Sequence, residues 1–235
     1  IAGNIKGVKL ADNLIYKAAM QLKAIAPENA GALIELEKKL PMGGGLGGGS
    51  SDAATTLVAL NYLWELNLQP QQLAEMGVTL GADVPIFVLG KAAIAEGVGE
   101  LLTPIEPTEN AYLVAVPDCH ISTASIFQEP SLTRNTAKQN HYQLISQNWM
   151  NDCQPCVKNN YPKVANAINW LIEYAPTRLT GTGACVFSTF DSLNDAQAVL
   201  DKAPEWLDAF ITQGLNNSPL HELLSSLDQK FMDNI

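Results

Sequence analysis

The sequence predicts a protein of two domains in which helices and strands are mixed. A run of six glycines lies between an alternating apolar and acidic segment and an amphipathic helix in the first half. Two prolines, Pro104 and Pro107, interrupt the pattern near residue 105. The second half combines an apolar strand pattern with strongly periodic helices. At 235 residues the chain has room for two modest domains, which we expect at 1–105 and 106–235.

Composition and charge exclude several classes of protein. The chain is 47% hydrophobic and 16% charged, which is typical of a globular protein. Its formal net charge of −10 argues against nucleic acid and anionic membranes as partners. No run approaches 18 apolar residues, so no transmembrane helix is predicted. Four cysteines do not make a secreted disulfide framework in a chain of this size, so we expect reduced thiols and a cytoplasmic location. The expected assembly, a monomer or homodimer, does not follow from the composition.

The first half is predicted to be mainly helical around the glycine run. Its expected elements are, in order, a helix at 14–25 capped by Asp12-Asn13, a strand at 34–37, a helix at 51–64 with Ser50, Ser51 and Asp52 as cap and first turn, a short helix at 70–76, and a hairpin formed by 92–96 and 99–102.

The second half is predicted to alternate between strands and helices. Its expected elements are a buried strand at 112–117, a loop entering a helix at 121–127, an irregular polar stretch at 129–138, helices at 141–150 and 163–174, strands at 177–179 and 184–187, a helix running to 202 from a cap at Asp191 or Ser192, a strand at 207–212, and a C-terminal helix with an apolar stripe of Leu220, Leu223, Leu224, Leu227 and Phe231.

The glycine run is the first candidate site. Six of the 17 glycines lie in residues 43–49, where they serve a backbone that must turn through positive φ or approach something closely. A glycine loop that enters a helix directs N–H groups and the positive end of the helix dipole at one place, which suits a phosphate. The loop lacks the lysine of a Walker A motif and the later acidic residue of a Rossmann motif. A flexible hinge or a close backbone crossing is the alternative.

Asp83 is the second candidate, because it lies in a loop between Gly81 and Pro85. A kinase that phosphorylates an alcohol needs an acceptor for the hydroxyl proton. The alternative is an aspartate that only caps a turn.

The turn Gly181-Thr182-Gly183 is the third candidate. Its N–H groups could hold a second phosphate group, or it could be no more than a tight turn between two strands. The spacing of Cys153 and Cys156 lacks the second pair or the nearby histidines of a zinc site, so no metal ligand is assigned.

Three motifs together resemble the GHMP kinase superfamily. They are Pro41-Met42-Gly43-Gly44-Gly45-Leu46-Gly47-Gly48-Gly49-Ser50-Ser51, then Gly81-Ala82-Asp83-Val84-Pro85, then Leu179-Thr180-Gly181-Thr182-Gly183-Ala184-Cys185. The likeness runs across nearly the whole chain. It implies an α+β fold with a nucleotide-binding domain like the second domain of ribosomal protein S5, followed by a ferredoxin-like C-terminal domain. Within the superfamily the likeness is greatest to kinases that phosphorylate the 2-hydroxyl of a cytidylated methylerythritol.

The resemblance also implies roles for particular residues, with ATP and Mg²⁺ as cofactors. Asp83 would be the catalytic base. Apart from the resemblance, Asp52 lies in the expected first turn of the helix, where a carboxylate either caps the turn or helps to hold Mg²⁺ between itself and the phosphates. The implied ATP-binding residues are Pro41, Met42, Gly43, Gly44, Gly45, Leu46, Gly47, Gly48, Gly49, Ser50 and Ser51, with Asn13 and Lys38 near the adenine. The implied substrate-binding residues are Phe127, which would stack on cytosine, Thr123, Gly181, Thr182 and Gly183.

The sequence departs from the family pattern at its start. The family opens with a strand that carries a catalytic lysine, followed by a Gly-Tyr-His segment, and Lys6 does not lie in such a motif. The expectation is that roughly fifty residues of the domain are absent, that the chain as given is inactive or severely impaired, and that a sheet edge is exposed. Two alternatives stay open, namely a kinase for another alcohol such as homoserine or mevalonate, and a non-catalytic nucleotide-binding module.

Overall fold

The computed structural model describes residues 8–145 and 149–232, with the backbone alone for 228–232. The helices are α1 (Leu14–Lys23), α2 (Gly48–Leu63), α3 (Pro70–Val78), α4 (Val84–Leu89), α5 (Thr123–Gln128), α6 (His141–Ile145), α7 (Cys153–Asn160), α8 (Pro162–Leu171), α9 (Leu193–Leu200) and α10 (Pro219–Met232). The strands are β1 (Ala93–Glu96), β2 (Leu101–Pro104), β3 (Ala111–Ala115), β4 (Thr177–Leu179), β5 (Val186–Phe190) and β6 (Ala209–Gln213). The expectation of mixed helices and strands is confirmed.

The chain forms two compact units. Unit 1 comprises the chain up to Leu40, Gly47–Glu106 and the chain from Leu215 onward, whereas unit 2 comprises Pro41–Leu46 and Pro107–Gly214. The predicted division at 105 and 106 differs from this in two segments, 41–46 and 215–235. Both join a unit through long-range hydrogen bonds that periodicity does not reveal, such as that from Ala92 N to Asn216 O (2.8 Å).

Unit 1 is built on packed helices. Its buried core includes Leu22 of α1, Leu57 of α2, Leu73 of α3 and Val88 of α4, and Leu220 and Leu224 of α10 pack against it. β1 and β2 pair in antiparallel register, from Ala93 opposite Pro104 to Glu96 opposite Leu101, so the predicted hairpin is confirmed.

The first predicted helix is confirmed at its cap, because the side chain of Asn13 accepts a hydrogen bond from Ile15 N (2.9 Å). The predicted strand at 34–37 is wrong, since this segment carries a single bridge residue, Glu35. The alternation is nonetheless real, because Ile34 and Leu36 are half-buried while Glu35 and Glu37 are exposed. One buried face therefore arises here without a strand.

Unit 2 contains a four-stranded antiparallel sheet in the order β4-β5-β3-β6. The central strand β3 is almost wholly buried, as an apolar strand between two neighbours should be. The core joins Leu113 of β3 and Val186 of β5 with Val157 of α7, Ile168 of α8 and Ile126 of α5. The predicted strand at 112–117 and helix at 163–174 are confirmed within a few residues.

One prediction in unit 2 needs correction, one helix was not predicted, and one open alternative is resolved. The helix expected at 141–150 is shorter, because Trp149 and Met150 are not helical; α6 is described over His141–Ile145, and 146–148 lie outside the described residues. Helix α7 was not predicted at all, because its sequence is polar and of low helix propensity. It forms because Cys156 and Val157 are buried in the core. Ser192, not Asp191, caps α9.

Among the described residues, no helix has both the length and the apolar character needed to cross a membrane.

Candidate active site

The start of α2 is where the glycine run becomes helical. The helix begins at Gly48, with Gly47 as its N-cap at φ 66° and ψ 10°, so the prediction that Ser50, Ser51 and Asp52 cap it is wrong. A Cβ at residue 47 would lie 2.9 Å from the ring of Phe87, and residues with a Cβ rarely adopt the left-handed backbone found there, so glycine is needed. Gly47 supplies no capping side chain, and the first N–H groups of an α-helix have no partner within it. These groups can bind an anion.

Lys38 lies beside this helix start. Its Nζ is 3.4 Å from the place that a Cβ on Gly48 would occupy, and it pairs with the Asp52 carboxylate in the second turn of α2. The two side chains are 23% and 26% exposed. The pair neutralises the Asp52 carboxylate, which would otherwise repel a phosphate near the first turn. Asp52 does not cap α2, because the cap is Gly47, and its part in holding Mg²⁺ stays a prediction.

Asp83 lies at the N-cap position of α4 and is exposed. Its side chain makes no capping hydrogen bond, so its carboxylate is not used to cap the turn. The loop that carries it lies against α2, since a Cβ on Gly81 would be 3.7 Å from Ser50 Oγ. Unit 1 thus places an exposed carboxylate in a loop that adjoins the first turn of α2.

The part of the glycine run that belongs to unit 2, Pro41–Leu46, is held through its carbonyl oxygens. Thr180 Oγ1 donates to Gly45 O (2.5 Å), and Cys185 N donates to Gly44 O (3.1 Å). At Gly45, φ is +74°, and a Cβ there would meet Thr180 O at 2.5 Å and Gly183 O at 3.0 Å. The backbone therefore crosses the 180–185 turn closely at Gly45. A close backbone crossing was one of the two alternatives to a phosphate site given for the glycine run.

The Gly181-Thr182-Gly183 turn connects β4 to β5. Gly183 N donates to Thr180 O (2.8 Å), and the hydroxyls of Thr182 and Thr123 lie 2.9 Å apart. Two of the predicted substrate-side residues are thus neighbours although 59 positions separate them in the chain.

Phe127 lies near the end of α5 with 59% of its surface exposed. Its carbonyl accepts a hydrogen bond from Arg134 Nη2 (2.7 Å), which also donates to Glu129 O (3.0 Å). The ring is therefore presented to solvent from a fixed backbone, a geometry that permits stacking. Arg134 was missed because nothing in the irregular stretch 129–138 distinguishes it.

Asn13, predicted near the adenine, is 7% exposed, and its oxygen caps α1. The remaining predicted residues, Met42, Gly43 and Ser51, lie in the glycine run and the first turns of α2. The described part of the chain contains no group of three or more His, Cys, Asp or Glu that could hold a metal ion. Burial raises the pKa of the Cys153 and Cys156 thiols, which lowers their reactivity.

Two family models match the chain. The N-terminal domain of GHMP kinases matches residues 13–91, and the C-terminal domain of GHMP kinases matches residues 132–209. The first match contains Lys38, the start of α2 and Asp83, and the second contains the 181–183 turn.

Among curated proteins, the chain is 68% identical over 223 residues to 4-diphosphocytidyl-2-C-methyl-D-erythritol kinase of Psychromonas ingrahamii, covering 95% of this chain and 78% of that protein. Among solved structures it resembles a 4-(cytidine 5'-diphospho)-2C-methyl-D-erythritol kinase with a TM-score of 0.76 and 26% identity, covering 92% of this chain and 84% of that one. The homoserine kinase of Cytophaga hutchinsonii gives a TM-score of 0.57 at 16% identity over 89% and 78% of the two chains, which shows a shared fold alone.

Proposed function

This chain belongs to the GHMP kinase family, and we propose that it transfers the γ-phosphoryl group of ATP to the 2-hydroxyl of 4-(cytidine 5'-diphospho)-2-C-methyl-D-erythritol. That reaction belongs to the non-mevalonate route to isoprenoid precursors. The expectation of a small-molecule kinase of the GHMP architecture is confirmed by the two matched domains and by the 68% identical relative.

The start of α2 carries the proposal. Its uncapped N–H groups favour anionic phosphate oxygens. Lys38 pairs with the Asp52 carboxylate and so reduces the repulsion between that carboxylate and a bound phosphate. In a chain with a net charge of −10, backbone N–H groups are a suitable way to bind a triphosphate. We assign ATP to these residues, with the glycines from 43 to 49 following its phosphates.

The proposed chemistry is an in-line displacement at phosphorus. The 2-hydroxyl oxygen forms a bond to the γ-phosphorus, and the bond from that phosphorus to the oxygen bridging it to the β-phosphate breaks, so ADP leaves. The proton of the hydroxyl passes to the Asp83 carboxylate, which is exposed and not used as a cap. The loop contact to Ser50 supports this role, because it keeps Asp83 in a segment next to the helix that would bind the phosphates.

The cytidine side of the substrate is assigned to unit 2. Phe127 offers an exposed ring on a backbone that Arg134 fixes, which suits stacking on a cytosine. The hydroxyls of Thr123 and Thr182 and the N–H groups of Gly181 and Gly183 are polar groups for the diphosphate and the sugar. A kinase for homoserine or mevalonate would not need the aromatic ring.

Mg²⁺ enters the proposal together with ATP. Near the start of α2, the described residues include no group of three or more His, Cys, Asp or Glu that could hold a metal ion without ATP. Bound through phosphate oxygens and water, as this ion prefers, Mg²⁺ would neutralise charge on ATP. No step of the transfer is assigned to it.

The proposal also places the enzyme in the cytoplasm, as a monomer or homodimer. All four cysteines are free thiols, which fits a reducing compartment. Sedimentation of the purified protein would distinguish a monomer from a homodimer.

A coupled assay of ADP release by the full-length protein tests the function. Turnover is expected with the cytidylated methylerythritol, with activity on homoserine and mevalonate at least 100-fold lower. Comparable or greater turnover with homoserine or mevalonate would overturn the substrate. ATP-dependent stabilisation against heat without turnover on any of the three would favour a non-catalytic nucleotide-binding module.

A further inference from the structure

Asn151 has every polar atom of its side chain in use. Its Nδ2 donates to two carbonyl oxygens, those of Leu179 (2.9 Å) and Gly181 (2.7 Å). Its Oδ1 accepts from Cys153 N at the start of α7 (2.9 Å). Two carbonyls on one side and an N–H on the other fix which end of the amide is nitrogen. One side chain thus joins α7 to both ends of the segment 179–181.

Segment 179–181, which Asn151 binds, in turn binds the backbone of the glycine run. Leu179 is fixed from its other side, because its N–H donates to Gln154 Oε1 (2.7 Å). Between the two carbonyls that Asn151 binds lies Thr180, whose hydroxyl donates to Gly45 O. Contacts therefore lead from Asn151 through Thr180 to the backbone of the loop, all within unit 2.

We infer that Asn151 is a positioning residue for the glycine run, which is proposed to bind the phosphates of ATP. It acts through Thr180 on the backbone of Gly45. This inference rests on the proposed function, because it assumes that the loop binds a nucleotide. Phosphoryl transfer depends on placing the reacting groups, and a displacement of about 1 Å can cost about 100-fold in rate. A residue that touches neither substrate can thus influence turnover by fixing the loop's backbone.

The chemistry of the site favours asparagine over its isostere. Aspartate has the same shape, but it would place a charged oxygen against two carbonyl oxygens in place of two hydrogen bonds. Alanine would leave the carbonyls without this donor but would add no repulsion. The expected order of activity is therefore Asn above Ala above Asp, whereas a side chain that only filled space would give Asn above Asp above Ala.

The test measures kcat and melting temperature for Asn151→Asp and Asn151→Ala in the full-length protein. The kcat of Asn151→Asp is expected to fall about tenfold or more at a temperature where circular dichroism shows the variant folded. The matched control is Asn140→Asp, because Asn140 uses its oxygen as acceptor from Gln143 N (2.9 Å), which aspartate retains. Its kcat should stay within twofold of the wild type. Asn151→Asp with a lower melting temperature but an unchanged kcat would overturn the inference.

A double-mutant cycle tests the route through Thr180. Thr180→Val removes the hydroxyl that donates to Gly45 O while it keeps the shape. If Asn151 acts through Thr180, the loss of kcat in Asn151→Ala/Thr180→Val should be at least threefold smaller than the product of the single losses. A loss equal to that product within twofold would show that the two act separately, which contradicts the inference.

Failure of the proposed function has a different signature. If the wild-type protein does not phosphorylate the cytidylated substrate, the same variants are compared by calorimetric titration with ADP. The dissociation constant should rise at least threefold in Asn151→Asp and stay unchanged in Asn140→Asp. Equal affinities would overturn the positioning role, and a wild-type protein that binds no ADP would overturn both proposals.

Discussion

The two halves of the glycine run have similar composition and opposite surroundings. In Pro41–Leu46, the carbonyl oxygens of Gly44 and Gly45 accept hydrogen bonds from the 180–185 turn. From Gly47 onward the backbone enters α2, and the first N–H groups lie at an uncapped helix start. The first half, Pro41–Leu46, is anchored through its carbonyl oxygens and is called the anchored half below. The second half, from Gly47 onward, presents its N–H groups and is called the open half.

Glycine is needed in both halves for the same two reasons: φ is positive at Gly45 and at Gly47, and a Cβ would meet carbonyl oxygens at Gly45 and the ring of Phe87 at Gly47. The halves differ in what the backbone does, because the first is anchored and the second presents its N–H groups. A phosphate loop needs both properties, because donors bind an anion well only when the backbone that carries them is fixed.

The largest expected effect concerns the loop next to the open half. Asp83→Asn should lower kcat about 1,000-fold, because the amide cannot accept the hydroxyl proton. The affinity for ATP should change less than about threefold, since Asp83 is exposed and caps nothing. Steady-state kinetics and calorimetry measure the two quantities. Asp191→Asn serves as the control, being an exposed aspartate beside the cap of α9. Near-normal turnover in Asp83→Asn would remove Asp83 as the base.

The anchored half should respond to Gly45→Ala through stability. A Cβ there would lie 2.5 Å from a carbonyl oxygen at φ +74°, so the backbone must move. The free energy of unfolding should fall by about 2–3 kcal/mol, as urea unfolding would show. Gly31→Ala has nothing within 4 Å of its new Cβ and should leave stability nearly unchanged. Equal effects of the two substitutions would mean that the crossing at Gly45 is not tight.

Alkaline pH offers a milder test of the anchored half, because Cys185 is packed against Gly44. Burial raises the pKa of the Cys185 thiol from 9.0 to about 11. The unfolded chain then loses the proton at lower pH than the folded chain does, so stability is unaffected below about pH 8 and falls between about pH 9 and 11. The decrease should be of the order of 2 kcal/mol. Cys185→Ala should show a shallower alkaline decrease in urea titrations, and equal slopes would contradict the assignment.

The smallest expected effect concerns charge at the open half. Lys38→Met leaves the Asp52 carboxylate unpaired near the start of α2, so the affinity for ATP should fall by about 1 kcal/mol, measured by calorimetry. Lys39→Met is the neighbouring control, because its partner Glu37 is 3.8 Å away and both side chains are more than three-quarters exposed. Salt should weaken the first effect, and an equal loss in both variants would point to general charge instead.

Local signals in the sequence were sufficient for elements whose cause is local. The cap at Asn13, the hairpin of β1 and β2 and the buried strand β3 follow from capping chemistry, turn residues and apolar runs. The start of α2 was predicted three residues late, because glycine is a poor helix former and the left-handed cap at Gly47 has no side-chain signature. Helix α7 was missed because two core contacts, not propensity, stabilise it.

The candidate site shows the same limit. The glycine run and Asp83 could be picked out as candidates because each lies in a short motif, and the family resemblance supplied the roles that are proposed for them. The pairing of Lys38 with Asp52 and of Thr123 with Thr182 joins residues 14 and 59 positions apart, which no period in a single sequence encodes. Asn151 and Arg134 act through carbonyl oxygens, which every residue has, so nothing in the sequence distinguishes their partners.

The return of the chain to unit 1 at Leu215 has a consequence for synthesis. Leu220 and Leu224 complete the packing around the core that α1 to α4 begin, and Asn216 binds Ala92. The ribosome must therefore make all of Pro107–Gly214 before the first unit can close, a delay of roughly 10 s at about 10 residues per second. During that interval the apolar face that α10 will cover is open to chaperones. Unit 2 is different, because apart from Pro41–Leu46, which is made earlier, it is one continuous stretch and can fold as it emerges.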